Sequence, residues 1–508
     1  MPNDLSRRNF IKTTGTIAGA AALAGAGTRS FAANEKINLG IIGTGLQAQI
    51  AHIGQGLNVH KDKIQIVAIC DVWNYNRDLA AKAIDDPGLK QYSEYRDMIE
   101  KENLDAVLIA TPLVTHYQIV LDCLDAGLYV FCEKTLTMTI EESRDIVKKC
   151  EATGKFLQVG HQRRYNPYYN KAMWLANDKN LIGRITHITA QWHRNDSWRR
   201  TPPHGYVLDE NEKKHIKDLE KHVNWRLYND MSAGLMTELG THQLDVASWF
   251  LGGIPSRVMG MGGLEYWRDK REAEDHVVLI YEWDMKPGMK GFKQVKRRSS
   301  KQSKIKINAP YKVRMTYSSI CTNANAHYSE LIQGEFGALE LVGESRCQVY
   351  AEPSYVAAEQ ARRERAEAKK AQLEGNQSGT AEKKDPDAET TTSYDPSGAL
   401  NEGIPLDVYT DDKQSTDYDI WMANHNSWAG FANDIKNGGI PKANVMAGLS
   451  SAICGHAGNE AIRTGSSVEI DSKLMDFDFE TPDPYRFDFV EGPIPGAKPA
   501  KDDAEETV

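Results

Sequence analysis

The sequence lacks the features that mark several large protein classes. Its 508 residues include only seven cysteines, an odd number, and no two have the spacing of metal ligands, so we expect buried, reduced thiols and no metal centre. We expect no stable membrane span, because the one apolar run near the N-terminus is short and rich in Gly and Ala. The net charge of -9 disfavours a nucleic-acid partner, because phosphate backbones require a basic face. A small polar molecule remains the expected partner.

The N-terminus carries a recognisable export pattern. Ser6-Arg7-Arg8-Asn9-Phe10-Ile11-Lys12 precedes a small apolar run, and Ser30-Phe31-Ala32 offers small residues to a signal peptidase. Residues 1–33 therefore resemble a twin-arginine signal, which predicts a periplasmic protein. The alternative, a basic start to an ordinary helix, is disfavoured by the Gly and Ala content. Since the twin-arginine route moves folded proteins, we expect any cofactor to be loaded before export and tightly held.

The rest of the chain is long enough for two domains. From Lys36 to about Gly160, short apolar runs alternate with amphipathic segments, which is typical of parallel βαβ units. After Gly183, alternating strands predict an antiparallel sheet with one exposed face. We therefore expect an α/β fold with a Rossmann domain over 34–160 and a second α/β domain over 161–492. Insertions near 286–306 and 357–400 and a loose tail over 493–508 complete the prediction.

A glycine-rich segment directly follows the first predicted strand, with the sequence Gly43-Thr44-Gly45-Leu46-Gln47-Ala48. Gly43 permits a tight turn, Gly45 lets the backbone approach a pyrophosphate, and Ala48 lets helix and strand pack closely. The helix N-terminus then favours the negative charge. Asp71 ends the second strand, where its carboxylate can accept both ribose hydroxyls and favours NAD over NADP. We predict an NAD site that includes Leu46 as well.

Further motifs follow other predicted strands and helices. They are Ala110-Thr111-Pro112 with His116, Glu133-Lys134, and Gly240-Thr241-His242 with Asp245. Together with the glycine-rich segment they resemble the Gfo/Idh/MocA family, which includes glucose–fructose oxidoreductase and inositol dehydrogenase. The resemblance implies a Rossmann domain followed by a domain with a large open sheet that often serves oligomerisation, and hence a homo-oligomer. Thr111, Pro112, His116 and Glu133 are expected at the cofactor.

Two positions carry the expected chemistry. Lys134 follows a strand at the carboxyl edge of the sheet, where an ammonium can bind a sugar hydroxyl and stabilise a developing alkoxide. Glu238 and His242 lie four apart on a predicted helix over Thr237–Phe250 and should share a face. His242 is the expected base, with Glu238 orienting it or binding substrate. The family usually has proline where this chain has Thr135, and aspartate at the position of Glu238.

Polar and aromatic residues between these motifs predict a carbohydrate pocket, since aromatic faces suit sugar C–H groups and Arg or Asn suits hydroxyls. The residues expected to contact substrate are Arg163, Tyr165, His193 and Trp225. Asp245 is a further substrate candidate, with a structural role as the alternative. No metal is predicted, although His193, His242 and Glu238 could share one.

Three functions are consistent with these motifs. The first is NAD-dependent oxidation of a ring hydroxyl of a sugar or glycoside, giving a keto-sugar. The second is a redox-assisted glycosidase that oxidises, eliminates and reduces again. It is disfavoured because the Tyr-Pro-Thr-His segment of those enzymes is missing where this chain has Glu238-Leu239-Gly240-Thr241-His242. The third is a non-enzymatic sugar- or nucleotide-binding protein, disfavoured by the presence of Lys134 and His242.

Overall fold

The computed structural model describes residues 35–294, 309–352, 404–405 and 418–487. The expected signal (1–33), residues 295–306 of the first insertion, the whole second insertion and the tail lie outside the described residues. Within the described part of the chain, no helix has the length and apolarity needed to cross a membrane. All seven cysteines are buried and unpaired, as expected.

The first sheet has six parallel strands in the order β3-β2-β1-β4-β5-β6. This is the order of a doubly wound dinucleotide-binding fold, which confirms the predicted Rossmann domain. The strands are β1 (Ile37–Ile42), β2 (Ile64–Cys70), β3 (Lys90–Tyr92), β4 (Ala106–Ile109), β5 (Tyr129–Cys132) and β6 (Leu157–Val159). The helices between them are α1 (Asn74–Ile84), α2 (Tyr95–Lys101), α3 (His116–Asp125) and α4 (Ile140–Thr153). The helix expected after the glycine-rich segment is a π-helix over Ala48–Gly54.

The second sheet has nine strands among the described residues, in the order β14-β13-β12-β11-β7-β10-β9-β8-β15. Its neighbours pair antiparallel except β7 and β10, which run parallel, so the expected mostly antiparallel sheet is confirmed. The strands are β7 (Ile185–His193), β8 (Arg257–Gly263), β9 (His276–Met285), β10 (Tyr311–Ile320), β11 (Tyr328–Gly334), β12 (Gly337–Val342), β13 (Arg346–Ala351), β14 (Ile404–Pro405) and β15 (Val468–Glu469).

Three helices pack against the second sheet: α5 (Pro167–Met173), α8 (Thr241–Leu251) and α10 (Val445–Thr464). The other described α-helices of this part of the chain are α6 (Glu212–His215), α7 (Leu219–Val223) and α9 (Tyr418–Asn437), and α9 contacts the π-helix over Ala48–Gly54. The single helix predicted over Thr237–Phe250 is in fact a π-helix over Met236–Gly240 followed by α8. The π-helix offers carbonyl groups to side chains outside it, which the sequence periodicity did not indicate.

Helix α10 fixes the position of α8. The two helices pack closely at Gly455, where an added Cβ would lie 2.9 Å from Cγ2 of Thr241. At Gly448, on the same helix, an added Cβ would lie 2.6 Å from Cγ2 of Val159 in β6. Because α10 touches both β6 and α8, it holds the start of α8 against the carboxyl edge of the parallel sheet.

Candidate active site

A cleft of about 920 Å³ runs along the carboxyl edge of the parallel sheet. Its walls include the glycine-rich segment, Asp71, and the segment Ala110-Thr111-Pro112 after β4. Ligands of doubly wound folds bind at this edge, where the strand order reverses between β1 and β4. The cleft therefore lies where the sequence predicted the dinucleotide.

The glycine-rich segment fits a dinucleotide phosphate. Gly43 has φ +85°, and an added Cβ there would lie 2.7 Å from the backbone of Ala110. Around Gly45 the nearest atom to an added Cβ is Nδ2 of Asn76 at 3.8 Å, so its backbone faces open space in the cleft. Leu46 is 47% exposed on the same wall, while Ala48 is fully buried against the sheet. These residues form the kind of backbone cradle that a pyrophosphate requires.

Asp71 lies at the end of β2, on the wall of the cleft. Its Oδ2 accepts hydrogen bonds from the backbone N of Thr44 (2.8 Å) and from its hydroxyl, and its Oδ1 accepts one from the N of Trp73 at 2.9 Å. The carboxylate thus ties the glycine-rich segment to β2 as well as facing the cleft. The side chain of Arg77 donates to the carbonyl of Asp71, and Arg77 is not among the residues that line the cleft. It is therefore not placed to bind the 2′-phosphate of NADP.

Residues 196–231, which we call the cleft strap, form the facing wall of the cleft. Arg200, His222 and Trp225 line it from this side. The strap is tied to the start of α1, because the backbone N of Asn74 donates to Oε1 of Glu212 at 2.8 Å and its Nδ2 donates to Asp209 at 2.7 Å. Glu212 is 1% exposed. The predicted contact residue Trp225 therefore faces the dinucleotide cleft.

Two residues expected at the cofactor lie behind the cleft wall instead. Thr111 and Pro112 line the cleft, but His116 is buried, and its two ring nitrogens lie 3.0 Å from the carbonyls of Thr135 and Thr111. Burial lowers the pKa of His116, and a neutral ring has one N–H, so it can donate to only one of these two carbonyls. Glu133, the second of these residues, is also buried.

Glu133 belongs to a buried hydrogen-bonded chain that ends at Lys134. The indole Nε1 of Trp428 donates to Nδ1 of His52 at 3.2 Å, and an indole nitrogen can only donate. His52 must therefore carry its hydrogen on Nε2, which lies 2.9 Å from Oε1 of Glu133. Burial alone would raise the pKa of Glu133, but contacts with His52, Lys134 and Gln47 lower it to about 2. Glu133 thus presents a permanent negative charge beside Lys134.

Lys134 is aimed at the π-helix. Its Nζ donates to the carbonyl of Glu238 at 2.6 Å, and the hydroxyl of Thr135 donates to the carbonyl of Thr237 at 2.5 Å. Burial lowers the pKa of Lys134, although the charges of Glu238 and Glu133 oppose that shift. Thr135 stands where the family has proline. Its bond to Thr237 anchors the loop after β5 to the π-helix over Met236–Gly240.

His242 lies at the start of α8, 7% exposed. Its ring packs at 5.3 Å from that of Trp192 and 6.3 Å from that of His161, and its Nδ1 is buried without a hydrogen-bond partner. Burial, followed by the charges of Lys134 and Arg163, lowers its pKa well below 6.5. His242 is therefore neutral at neutral pH and able to accept a proton.

Glu238 does not orient His242, contrary to expectation. Its carboxylate accepts hydrogen bonds from Nε of Arg226 (3.1 Å) and from the hydroxyl of Ser232 (2.9 Å), while its carbonyl holds Lys134. The π-helix breaks the regular four-residue repeat that would have stacked Glu238 on His242. Glu238 instead links the active-site lysine to Arg226, which lines the cleft.

Four residues expected to contact substrate are placed elsewhere, because each has a partner on another element of the fold. Arg163 is buried in ion pairs with Glu330 and Glu344, and Asp245 is buried against Arg164. The hydroxyl of Tyr165 donates to Gln158 at 2.8 Å, inside the core. His193 lies 2.8 Å from the hydroxyl of Ser318, on the sheet face opposite to Trp192. The structure thus makes Arg163 and Asp245 part of the scaffold.

Several active-site residues were missed by sequence reasoning. They are His52, His161, Trp192, Arg226 and Trp428. His161 comes two residues after the end of β6 and could have been proposed from its place at the carboxyl edge of the sheet. His52 and Trp428 gave no local signal, since their pairing joins residues far apart in the chain.

Comparisons with known families match both domains. Residues 37–161 match the Gfo/Idh/MocA model, described as an oxidoreductase family with an NAD-binding Rossmann fold. Residues 176–308 match the model of the Gfo/Idh/MocA C-terminal domain. The two models together span about half of the chain.

Individual relatives are more distant. An inositol 2-dehydrogenase from Rhodococcus erythropolis is 34% identical over 166 residues, 32% of this chain and 45% of that protein. A glycosyl hydrolase family 109 protein from Stenotrophomonas maltophilia is 28% identical over 196 residues, 37% of this chain and 42% of that protein. The chain thus spans less than half the length of each. The structure of a levoglucosan dehydrogenase in complex with NADH and levoglucosan superposes with a TM-score of 0.58 at 15% identity, covering 86% of this chain and all of that one, and so shares the fold.

Proposed function

The chain belongs to the Gfo/Idh/MocA family of oxidoreductases, and on that premise we propose that it oxidises a ring hydroxyl of a sugar or glycoside with bound NAD as hydride acceptor. One observation carries this proposal. The buried His242 lies at the start of α8, and the ammonium of Lys134 donates at 2.6 Å to the carbonyl of Glu238, four residues before it. A base and a cation so arranged suit the removal of a hydroxyl proton.

The chain's own residues divide the work. Lys134, held by the carbonyl of Glu238, binds the reacting hydroxyl and stabilises negative charge on its oxygen as the proton leaves. His242 accepts that proton, since its low pKa keeps it unprotonated at neutral pH. Gly43, Gly45 and Asp71 would hold the dinucleotide, with Leu46, Thr111 and Pro112 lining its cleft. Bound NAD supplies the hydride-accepting ring.

Isotope transfer tests this function directly. Sugars and methyl glycosides deuterated at single ring carbons should pass deuterium to the protein's NAD, detected by mass spectrometry after release under alkaline denaturing conditions, in which the reduced dinucleotide is stable. The labelled carbon that transfers identifies the oxidised hydroxyl. A panel that leaves the released dinucleotide unlabelled, while the same protein binds NAD, would contradict the oxidoreductase proposal.

We further propose that NAD is retained through many turnovers, because the cleft strap is anchored to the Rossmann domain by the buried carboxylate of Glu212. Glu212→Ala should release that anchor and lower the NAD-to-protein ratio after gel filtration. Glu210→Ala is a matched control, because Glu210 lies on the same strap but is 89% exposed. Equal NAD content in both variants would contradict retention by the strap.

A second candidate is the redox-assisted glycosidase, supported by the similarity to a family 109 protein. It shares the first oxidation step but ends in cleavage without net reduction of NAD. Release of nitrophenol from nitrophenyl glycosides, with the bound cofactor unchanged at the end, would favour it over the dehydrogenase.

We propose export through the twin-arginine route, on the pattern Ser6-Arg7-Arg8-Asn9-Phe10. Replacing Arg7 and Arg8 together by Lys should leave the protein in the cytoplasmic fraction of a bacterial host. Recovery of that variant in the periplasm would contradict the proposal.

We also propose a homo-oligomer, supported by an apolar patch on the uncovered face of the second sheet. Met259 pairs with Ile280 and Met261 with Val278 across β8 and β9, and all four side chains are more than 40% exposed. A second copy of the chain would bury this patch. Met261→Lys should then lower the mass measured by light scattering, and a monomeric wild type would contradict the proposal.

A further inference from the structure

Four cations surround the catalytic centre, and three of them have a nearby carboxylate. Arg226 pairs with Glu238 at 3.1 Å, and Lys134 follows Glu133, whose carboxylate accepts from its backbone N. Arg163 pairs with Glu330 and Glu344. The fourth cation is Arg194, which shares the ring of Trp198 with Arg226. Among the described residues, no carboxylate forms an ion pair with Arg194. The centre therefore holds one positive charge without a partner.

Arg194 is placed to face the reacting groups. It comes two residues after Trp192, whose ring packs against His242, and its backbone N donates to the carbonyl of Ile320 at 2.9 Å. Alternation along an extended chain puts Trp192 and Arg194 on the same side of the sheet. That side carries α8 and His242. Arg194 does not belong to the walls of the dinucleotide cleft, so the cofactor's phosphates do not account for it.

The guanidinium of Arg194 is held in position by stacking. It lies 3.6 Å from the ring centre of Trp198, and Arg226 lies 5.7 Å from the same ring. Nε of Arg194 is buried and has no hydrogen-bond partner among the residues that the structure describes, and its Nη2 donates weakly to Sγ of Cys321 at 3.7 Å. A buried guanidinium nitrogen without an acceptor is costly unless a ligand supplies one. Arg194 is thus a pre-placed donor that the protein leaves unsatisfied.

Resting on the function proposed above, we infer that the substrate is an anionic sugar and that Arg194 binds its carboxylate or phosphate group. A guanidinium on an aromatic face is suited to both groups, because its N–H donors match two oxygens at once. The anion would neutralise the unpaired charge while a ring hydroxyl of the same sugar lies at Lys134 and His242. This assigns Arg194 a role in substrate selection, apart from the proton transfer.

Matched sugar pairs test the inference on purified protein with its NAD. The pairs are D-glucuronate with D-glucose, D-galacturonate with D-galactose, and D-glucose 6-phosphate with D-glucose. Reduction of bound NAD at 340 nm should be at least about tenfold more efficient for an anionic member, the effect of one charged hydrogen-bonded pair. Arg194→Ala should lower the ratio of the two efficiencies, anionic member over neutral member, to below about twofold. Arg346→Ala, which removes an exposed arginine from β13, is the matched control and should leave the preference intact. The uronates and the phosphate ester tell the two anion sources apart.

Binding measured by thermal shift separates this inference from the proposed function. D-Glucuronate or inorganic phosphate should raise the melting temperature of the wild type but not of Arg194→Ala, at constant ionic strength. Equal use of neutral and anionic sugars, or no anion effect on rate or melting temperature, would overturn the inference and leave the oxidoreductase standing. An Arg194-dependent shift without reduction by any sugar would support the anion site and count against the oxidation.

Discussion

The dinucleotide cleft and the catalytic centre are built on different physical bases. The cleft is walled by backbone at Gly43 and Gly45, by one carboxylate, Asp71, and by a strap that closes over it. The catalytic centre consists of side chains fixed by partners from distant segments, such as Lys134 on the carbonyl of Glu238. A backbone site tolerates changes in neighbouring side chains, whereas a site held by hydrogen bonds is altered by the loss of one partner. The two regions should therefore fail differently when mutated.

His242→Ala should give the largest effect and separate the two regions most cleanly. Loss of the base should lower turnover about 10²- to 10⁴-fold, the usual contribution of general-base catalysis. The NAD content should stay at the wild-type level, because His242 is outside the cleft walls. Steady-state rates and the NAD-to-protein ratio check both parts. A variant with an unaltered rate would remove His242 from the proton transfer.

Asp71→Ala should show the opposite pattern. Affinity for NAD should fall about tenfold to a hundredfold, the effect of losing hydrogen bonds to a charged group, and the advantage of NAD over NADP should narrow. Fluorescence titration of protein stripped of its cofactor measures both affinities. Asp71→Asn serves as an intermediate variant, because its single amide oxygen can accept from only one of the backbone N atoms of Thr44 and Trp73. An unchanged NAD-to-NADP ratio in Asp71→Ala would exclude a ribose contact.

The pH dependence of catalytic efficiency should report on the catalytic centre and not on the dinucleotide cleft. Because the pKa of His242 is lowered below 6.5, catalytic efficiency should fall only on the acid side of that value, as the ring becomes protonated. Because the pKa of Lys134 is lowered below 10.5, efficiency should fall again at alkaline pH as the ammonium loses its proton. A plateau at neutral pH is expected. The affinity for NAD should not change with pH over either limb. A NAD affinity that fell together with catalytic efficiency on both limbs would contradict the separation of the cleft from the catalytic centre.

Trp428→Phe should give the smallest effect. It keeps the stacking on Phe131 but removes the indole donor that fixes the tautomer of His52. Without that donor the hydrogen of His52 is no longer fixed on Nε2, so the hydrogen bond from His52 to Glu133 is weakened. The alkaline limb should then shift, and catalytic efficiency should fall about two- to tenfold. Trp283→Phe is the control, since it removes a buried indole bond to the carbonyl of Gly253. Identical pH–rate profiles for Trp428→Phe and Trp283→Phe would show that the hydrogen bonds from Trp428 through His52 to Glu133 do not affect the ionisation of Lys134.

The same contrast explains how much the sequence predicts. Gly43, Gly45 and Asp71 act through local turns and strand ends, so their positions beside predicted strands indicated the cleft. The alternation of apolar runs and amphipathic segments from Lys36 to about Gly160 indicated the parallel sheet. Arg163 resembled a sugar ligand, but its partners Glu330 and Glu344 lie more than 160 residues away. The π-helix at Met236–Gly240 likewise has no periodic signature, so the predicted pairing of Glu238 with His242 was wrong. Side chains with long-range partners could not be assigned from the sequence.

The most direct test of the central claim is an absorbance and fluorescence spectrum of the purified protein before and after a panel of sugars, glycosides and uronates is added, with product analysis. We predict that NAD copurifies, that an absorbance band at 340 nm rises on addition of the right sugar, and that a keto-sugar is formed in the same amount. Copurified NAD that no sugar reduces, with no keto-sugar among the products, would contradict the account.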